Sequence, residues 1–372
     1  MQNGKWILTS LVMTFFGIPI LAQFLAAVVA MLGAGLAAIL EFCNLLFTPT
    51  IYLLLNVFML TLGALLLFFS GRVWAGDSAP ENREIAAWRP DKLNNQLTPL
   101  RGKPQIQFTQ NWPRLDGATA AYPIYASAFY ALSVIPEDFH VWDYLDNSRT
   151  QEAYNKIVNG DADIIFVAQP SDGQKKRAEK SGVTLLYTPF AREAFVFIVN
   201  ADNPVNSLTE QQVRDIFSGA ITNWRTVGGN DQEIQTWQRP EDSGSQTVMQ
   251  SQVMKNVRMI SPQETEVASM MEGMIKVVAE YRNTNNAIGY TFRYYATQMN
   301  ADKNIKLLAI NGIAPTAENI RNGKYPYVVD AFMVTRDNMT SETQKLVEWF
   351  LTPQGQSLVE DVGYVPLYPT MK

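Results

Sequence analysis

The pattern of apolar and polar residues divides this chain into two unlike parts. Residues 6–40 contain no charged side chain, and residues 42–69 are again uncharged after Glu41. A membrane-spanning helix needs about 20 apolar residues. The pattern therefore predicts an all-α transmembrane region over residues 1–74. It contains two or three helices, because residues 6–40 form either one long tilted span or two short ones.

A polar stretch follows this apolar region and shows no periodicity. Residues 75–104 carry scattered proline and asparagine residues, which are typical of irregular structure. We therefore predict a linker over 75–104, which separates the apolar region from a ligand-binding domain over residues 105–372.

Short apolar runs alternate with amphipathic stretches through the rest of the chain. The run 164–168, which follows Asp163, and the run 194–199 are fully apolar, as in buried strands of a parallel sheet. Asn159-Gly160 is expected to end the helix that precedes the first run. Further strands are predicted at 105–109, 233–237, 286–291, 306–310 and 328–335, and further helices at 210–217, 247–254 and 341–351. Alternating strands and helices indicate an α/β fold.

Composition excludes several classes of function. The net charge of −5 argues against a nucleic-acid partner, and a single cysteine, Cys43, allows no intrachain disulfide. With one histidine, His140, a histidine-based metal site is not expected, and we predict neither a metal nor a cofactor. A weak, screened net charge does not prevent anion binding by a few oriented donors.

The stretch from Gln238 to Thr247 concentrates groups that bind oxyanions. Arg239 offers a planar fork of donors, Ser243 and Ser245 offer hydroxyls, and Gly244 permits close approach of the backbone. These residues precede a predicted helix, whose first backbone N–H groups are free to bind an anion. The alternative is an ordinary N-cap serine beside a surface ion pair.

Two other predicted helix starts also carry hydroxyl groups. Thr119 lies at a turn from strand to helix, two residues after Gly117, and either Ser148 or Thr150 would cap the next helix. Plain N-capping is the alternative for each of these residues.

Four motifs, in this order and spacing, resemble the phosphate-binding solute receptors of ABC transporters, which have a type II periplasmic-binding-protein fold. The similarity covers roughly residues 105–370 and comprises Gly117-Ala118-Thr119 followed by Tyr122-Pro123, residues 217–224, Arg239 with Ser243-Gly244-Ser245, and residues 363–366. The resemblance implies two lobes, the first at about 105–192 and 288–372, the second at about 193–287.

The resemblance also implies the roles of the site residues. Thr119 and the N–H of Ala120 would bind the anion from lobe one, together with Ser148 or Thr150. Arg239, Ser243, the N–H of Gly244 and Ser245 would bind it from lobe two. Glu241 would orient the arginine.

One departure from the family bears on selectivity. Family members that bind phosphate tightly carry an aspartate near the positions of Ala168 and Gln169, and it accepts the proton of monohydrogen phosphate. This chain has no acid there, so Asp172, Glu241 or Asp242 is the candidate for that role.

We therefore expect a membrane-anchored extracytoplasmic binding protein for a small inorganic oxyanion, phosphate above all, that delivers it to an ABC transporter permease by closure of two lobes. Its place would be the bacterial inner membrane, with the ligand domain facing the periplasm or exterior. The alternative is a membrane-bound oxyanion sensor or regulatory receptor, because two or three spans exceed what tethering requires.

An enzyme is not expected. The sequence contains no GxSxG, HExxH, CxxC or Walker A pattern. His140 lies in the alternating stretch 139–142, which predicts a strand in which the histidine serves packing.

Overall fold

The computed structural model describes residues 83–134, 136, 140–262, 267–280 and 286–371. The transmembrane region predicted for residues 1–74 lies outside these ranges, as does the first part of the predicted linker. Within the described ranges, none of the helices has the length and apolar character needed to cross a bilayer.

The described residues form short strands and helices that alternate along the chain. The strands are β1 (Leu115–Gly117), β2 (Ile164–Val167), β3 (Leu185–Asn200), β4 (Ser207–Leu208), β5 (Gln235–Thr236), β6 (Ala287–Phe292), β7 (Ile305–Leu307), β8 (Ala309–Ile310), β9 (Val328–Arg336) and β10 (Val365–Pro366). The α-helices are α1 (Tyr122–Leu132), α2 (Arg149–Asn159), α3 (Asp172–Lys180), α4 (Glu210–Ser218), α5 (Gly244–Val248), α6 (Met271–Glu280), α7 (Ala317–Arg321), α8 (Ser341–Phe350) and α9 (Pro353–Val362).

The long strand β3 is the axis of the main sheet. The sheet order is β1-β2-β9-β3-β6-β5, and β7 and β10 also pair with β3. The first part of β3 pairs with β9, and residues 195–199 pair with β6, both antiparallel. The sheet is mixed rather than parallel, since β2 lies between parallel β1 and antiparallel β9.

The two larger of the three hydrophobic cores in the described ranges lie along this axis. The first contains Phe166, Phe190 and Phe350, with the aromatic rings of Phe166 and Phe190 5.6 Å apart. The second contains Phe195 and Tyr290, whose rings are 5.4 Å apart. Each core needs its own set of helices to cover it. The predicted two-lobed α/β architecture is therefore confirmed.

The second core extends further along the chain than the predicted lobe boundary. Leu308, Ile310, Ile320 and Tyr325 pack into it, although they fall in the range assigned to lobe one. The reason is that β7 pairs with residues 198–200 of β3 and carries this segment across to the second lobe.

Two local predictions for the first described residues differ from the structure. Residues 105–109 do not form a strand; Phe108 makes a single bridge to Ser133 at the end of α1 and is otherwise held by burial. Residues 83–88, within the predicted linker, form a 3₁₀ helix instead. Ile85 and Trp88 are buried in the first core, which fixes this segment against α1.

A buried ion pair lies where β3 passes from one core to the other. Glu193 accepts from Arg293 Nε at 3.3 Å, from the N–H of Ala194 at 2.7 Å and from the N–H of Tyr294 at 3.0 Å. Arg293 Nη2 also donates to the carbonyl of Gly363 at 2.7 Å. Burial raises the pKa of Glu193, although the arginine opposes that shift.

Candidate anion-binding site

A cleft of about 380 Å³ lies between elements of both lobes. Every residue that the sequence predicted for ligand binding lines it: Thr119, Ala120, Ser148, Thr150, Arg239, Ser243, Gly244 and Ser245. These residues come from three segments that lie far apart in sequence, so the fold brings the predicted helix starts to one place.

The first segment turns sharply after β1. A Cβ on Gly117 would lie 2.9 Å from the backbone nitrogen of Phe166 and closer still to its carbonyl oxygen, so β1 approaches β2 as only glycine allows. The chain then enters a 3₁₀ turn at Thr119–Ala121 that leads into α1. Thr119 is buried at the edge of the cleft, and its hydroxyl lies 3.4 Å from Asn147 Oδ1.

The second segment separates the roles of Ser148 and Thr150. Ser148 stands at the N-cap position of α2 but makes no side-chain cap, because its hydroxyl donates to the buried carboxylate of Asp116. The prediction that Ser148 or Thr150 caps this helix is therefore wrong, because Ser148 makes no cap and Thr150 lies inside α2, which begins at Arg149. Thr150 is buried, and its hydroxyl would lie 3.2 Å from a Cβ on Gly244. Thr150 thus faces the third segment directly.

The third segment is the loop 239–245, which leads into α5. Ser243 caps α5 by accepting from the N–H of Gln246 at 3.3 Å, as the N-capping alternative proposed. Ser245 is buried, its carbonyl accepts from the N–H of Met249, and its hydroxyl makes no hydrogen bond within the described part of the chain. Its hydroxyl is therefore left for a ligand, whereas that of Ser243 already accepts one bond.

Arg239 is the strongest ligand-binding feature of the cleft. Its backbone N–H is held by Gln246 Oε1 at 3.2 Å and by the Tyr290 hydroxyl at 3.1 Å. Its side chain is only 8% exposed, and neither Nε nor Nη1 has a hydrogen-bond partner among the described residues. Buried charged donors without hydrogen-bond partners are costly. These donors are therefore placed to bind an anion.

Arg239 keeps its positive charge although it is buried. Burial lowers the pKa of Arg239 to about 10, while the nearby carboxylate of Glu84 opposes the shift. The guanidinium thus remains protonated at neutral pH and offers a charged donor.

The acids proposed from sequence do not occupy the expected positions. Glu241 lines the cleft but is exposed, and it accepts from Gln250 Nε2 at 2.9 Å rather than orienting Arg239. Asp242 instead binds the hydroxyl of Ser171 and Arg177 Nη2 across to α3. Asp172 is largely exposed at the start of α3, and neither it nor Asp242 lines this cleft.

Three charged residues of the cleft, Glu84, Arg149 and Glu152, were missed by the sequence analysis. Arg149 lies between Ser148 and Thr150, adopts a left-handed backbone with φ of 70°, and places Nη2 3.3 Å from Met270 Sδ. Its position between Ser148 and Thr150, two proposed ligand-binding residues, could have identified Arg149 as a cleft residue from the sequence. Glu84 had no such signal, because its contacts are 188 and 211 residues away along the chain.

His140 does not take part in the cleft. It is exposed, and the stretch expected to form a strand makes a 3₁₀ turn at Val141–Asp143 instead. In the described ranges, no group of three or more histidine, cysteine, aspartate or glutamate side chains is arranged to hold a metal.

Comparisons with known proteins agree with this architecture. The PBP superfamily domain matches residues 109–354, well over half of the chain. The phosphate-binding protein PstS of Bacillus subtilis is 24% identical over 315 residues, which cover 84% of this chain and 93% of that protein. A short stretch of 73 residues, 20% of this chain, is 82% identical to Protein YzgL of Escherichia coli and covers 78% of it.

The fold is also similar to solved structures. A substrate-binding protein from Clostridium perfringens, solved with bound phosphate, aligns with a TM-score of 0.56 at 22% identity. The alignment covers 69% of this chain and all of that one. The family is one of substrate-binding receptors, so the prediction that the chain is not an enzyme is confirmed. The chain belongs to the periplasmic-binding-protein (PBP) superfamily.

Proposed function

We propose that this chain is an extracytoplasmic receptor that binds a small inorganic oxyanion, phosphate above all, in the cleft between its lobes. The N-terminal region would anchor it to the bacterial inner membrane, and closure of the lobes would deliver the anion to an ABC transporter permease. The observation that carries the proposal is Arg239, a buried guanidinium with two donors unpartnered among the described residues.

The surrounding donors suit a compact tetrahedral anion. Ser245 and Thr150 add hydroxyl groups near the arginine, and the first N–H groups of the turn at Thr119 and of α5 border the same space. An oxyanion can accept several hydrogen bonds at once, and bonds from charged donors are the strongest. Phosphate is favoured among oxyanions because several relatives are named phosphate-binding proteins.

Side-chain hydrogen bonds connect the two lobes beside the cleft. Asp242, within the loop 239–245, binds Ser171 and Arg177 of the other lobe, and Gln169 forms hydrogen bonds with Ser251 and Gln252. We infer that these contacts belong to a closed state, in which exclusion of water strengthens each charged hydrogen bond.

Anion titrations of the purified full-length chain test the binding proposal. Thermal unfolding would be followed with phosphate, arsenate, sulfate and molybdate. A ligand present at 100 times its Kd should stabilise the fold by about 2.7 kcal/mol. We expect Arg239→Ala to abolish the shift with phosphate and His140→Ala, remote from the cleft, to retain it. Absence of a shift with all four anions would refute the receptor.

Membrane anchoring is tested separately by fractionation of cells. The full-length chain should sediment with the inner membrane, and a chain lacking residues 1–80 should not. Equal distribution of both chains would contradict anchoring while leaving anion binding intact.

A further inference from the structure

Glu84 is a buried acid of the anion-binding cleft, whereas the cleft's other acids, Glu152 and Glu241, are exposed. It is the second residue of the 3₁₀ helix Arg83–Trp88, which packs against α1 through Ile85 and Trp88. Glu84 is itself only 8% exposed and lines the cleft with Arg239. It precedes the matched superfamily domain, which starts at residue 109.

Two donors from the opposite lobe fix the carboxylate of Glu84. Its Oε1 accepts from the Tyr295 hydroxyl at 2.5 Å and from the backbone N–H of Glu272, near the start of α6, at 2.9 Å. A backbone N–H can only donate, so this oxygen serves as an acceptor. The other oxygen, Oε2, makes no hydrogen bond within the described part of the chain, and no lysine or arginine there forms an ion pair with Glu84.

A fixed carboxylate in an anion cleft has a selective effect. It repels an anion that has no proton to donate, and within a poorly solvated cleft that repulsion is weakly screened. An oxyanion with its own O–H can instead donate that proton to the carboxylate in a short, charge-assisted hydrogen bond. Monohydrogen phosphate and arsenate carry such a group near neutral pH, whereas sulfate does not.

We propose that Glu84 is the specificity-determining residue of the cleft, which accepts the proton of a protonated oxyanion while Arg239 binds its charged oxygens. The inference depends on the proposed oxyanion-binding function. Glu84 would thereby supply the acid that is missing at Ala168 and Gln169, from a segment outside the superfamily domain.

Calorimetric titration of the full-length chain with phosphate and with sulfate tests this role, using the ratio of the two Kd values as the readout. The unaltered chain should prefer phosphate. Glu84→Gln keeps the size and an acceptor oxygen for Tyr295 and Glu272 but removes the charge. We expect its phosphate affinity to fall about 10- to 150-fold, the range of a hydrogen bond to a charged group, and its sulfate affinity to hold or rise.

Glu241→Gln and Glu152→Gln are matched controls, since each removes one exposed carboxylate from the same cleft. Both should leave the ratio unchanged. An equal loss for both anions in Glu84→Gln would show that Glu84 only holds the lobes together, and this would overturn the inference.

A second variant covers the case in which Glu84→Gln does not fold. Glu84→Asp keeps the charge, so it should still exclude sulfate even if phosphate binds more weakly; acceptance of sulfate would overturn the inference. Sulfate bound as tightly as phosphate by the unaltered chain would also overturn it. Failure of the unaltered chain to bind any oxyanion would instead refute the proposed function itself.

Discussion

Arg293 and Arg239 are both largely buried in the described part of the chain, and their surroundings differ. At the passage of β3 between the lobes, the side chain of Arg293 is 13% exposed and is paired with Glu193 and the carbonyl of Gly363. In the cleft, Arg239 is 8% exposed, and two of its three nitrogens have no partner among the described residues. Burial is similar, but among the described residues only Arg293 forms a hydrogen-bonded ion pair, whereas Glu84 acts on Arg239 through its charge alone.

The difference indicates which charge serves the fold and which serves a ligand. A paired buried charge is costly to break, because the remaining partner is left uncompensated. An unpaired buried charge reduces the stability of the ligand-free fold and is tolerated where it binds something else. The following predictions use this contrast, from the largest expected effect to the smallest.

Replacing each arginine by methionine should change stability in different directions. Arg293→Met leaves Glu193 buried without its counter-charge and should lower the free energy of unfolding by about 3–5 kcal/mol. Arg239→Met removes a charge that has no partner, so the anion-free fold should be as stable as before or more stable. Urea unfolding in an anion-free organic buffer measures both values, and a large loss for Arg239→Met would contradict the contrast.

Replacing Arg239 by lysine separates charge from geometry. Lysine retains the positive charge but lacks the planar fork that donates two parallel bonds to an oxyanion. We expect the affinity for phosphate to fall about 10- to 150-fold, the effect of losing one hydrogen bond to a charged group. Titration calorimetry measures the Kd. Unchanged affinity would mean that only the charge of Arg239 matters.

Replacing Asp242 should have a smaller effect on stability, and that effect should depend on pH. Burial raises its pKa, but the hydrogen bond from Ser171 and the charge of Arg177 lower it more, so the pKa lies below the usual value. Its contribution is therefore fully present above the unfolded pKa of about 3.9 and is lost as pH falls through the lower folded pKa.

Asp242→Asn should consequently cost about 0.5–1.5 kcal/mol at pH 7, since Arg177 is partly exposed and well solvated. The deficit relative to the unaltered chain should shrink as the pH is lowered below about 4. Unfolding free energies of both chains at several pH values test this. A deficit that grows in acid would exclude the assigned sign.

Local patterns were sufficient to predict many elements. The apolar run 194–199 lies within β3, Gly160 ends α2 with φ of 86°, and Thr209 caps α4 through a capping box. Each of these features depends on residues a few positions apart, which sequence periodicity and capping rules capture.

The first half of β3 could not be predicted in this way. Pro189 interrupts the apolar pattern and cannot donate to a ladder, yet the strand continues because its register with β9 shifts between Pro189 and Ala191. Only the pairing with β9, more than 130 residues later, makes this segment a strand.

Local sequence patterns likewise predicted only part of the cleft. The loop 239–245, Thr119 and Thr150 carried local signals, because each lies at a helix start. The other features of the cleft depend on contacts between residues distant in sequence. The carboxylate of Asp116 accepts a hydrogen bond from the Ser148 hydroxyl, and Glu84 lines the cleft although it lies in a stretch predicted to be a linker.

A crystal structure of the chain grown with arsenate would test the central claim most directly, because the anomalous scattering of arsenic distinguishes the anion from water and from ions of lighter elements. We predict one strong peak in the cleft, with arsenate oxygens within hydrogen-bond distance, about 2.7–3.2 Å, of the Arg239 guanidinium and the Ser245 hydroxyl. An arsenate bound elsewhere, with Arg239 paired to a carboxylate of the protein, would contradict the account.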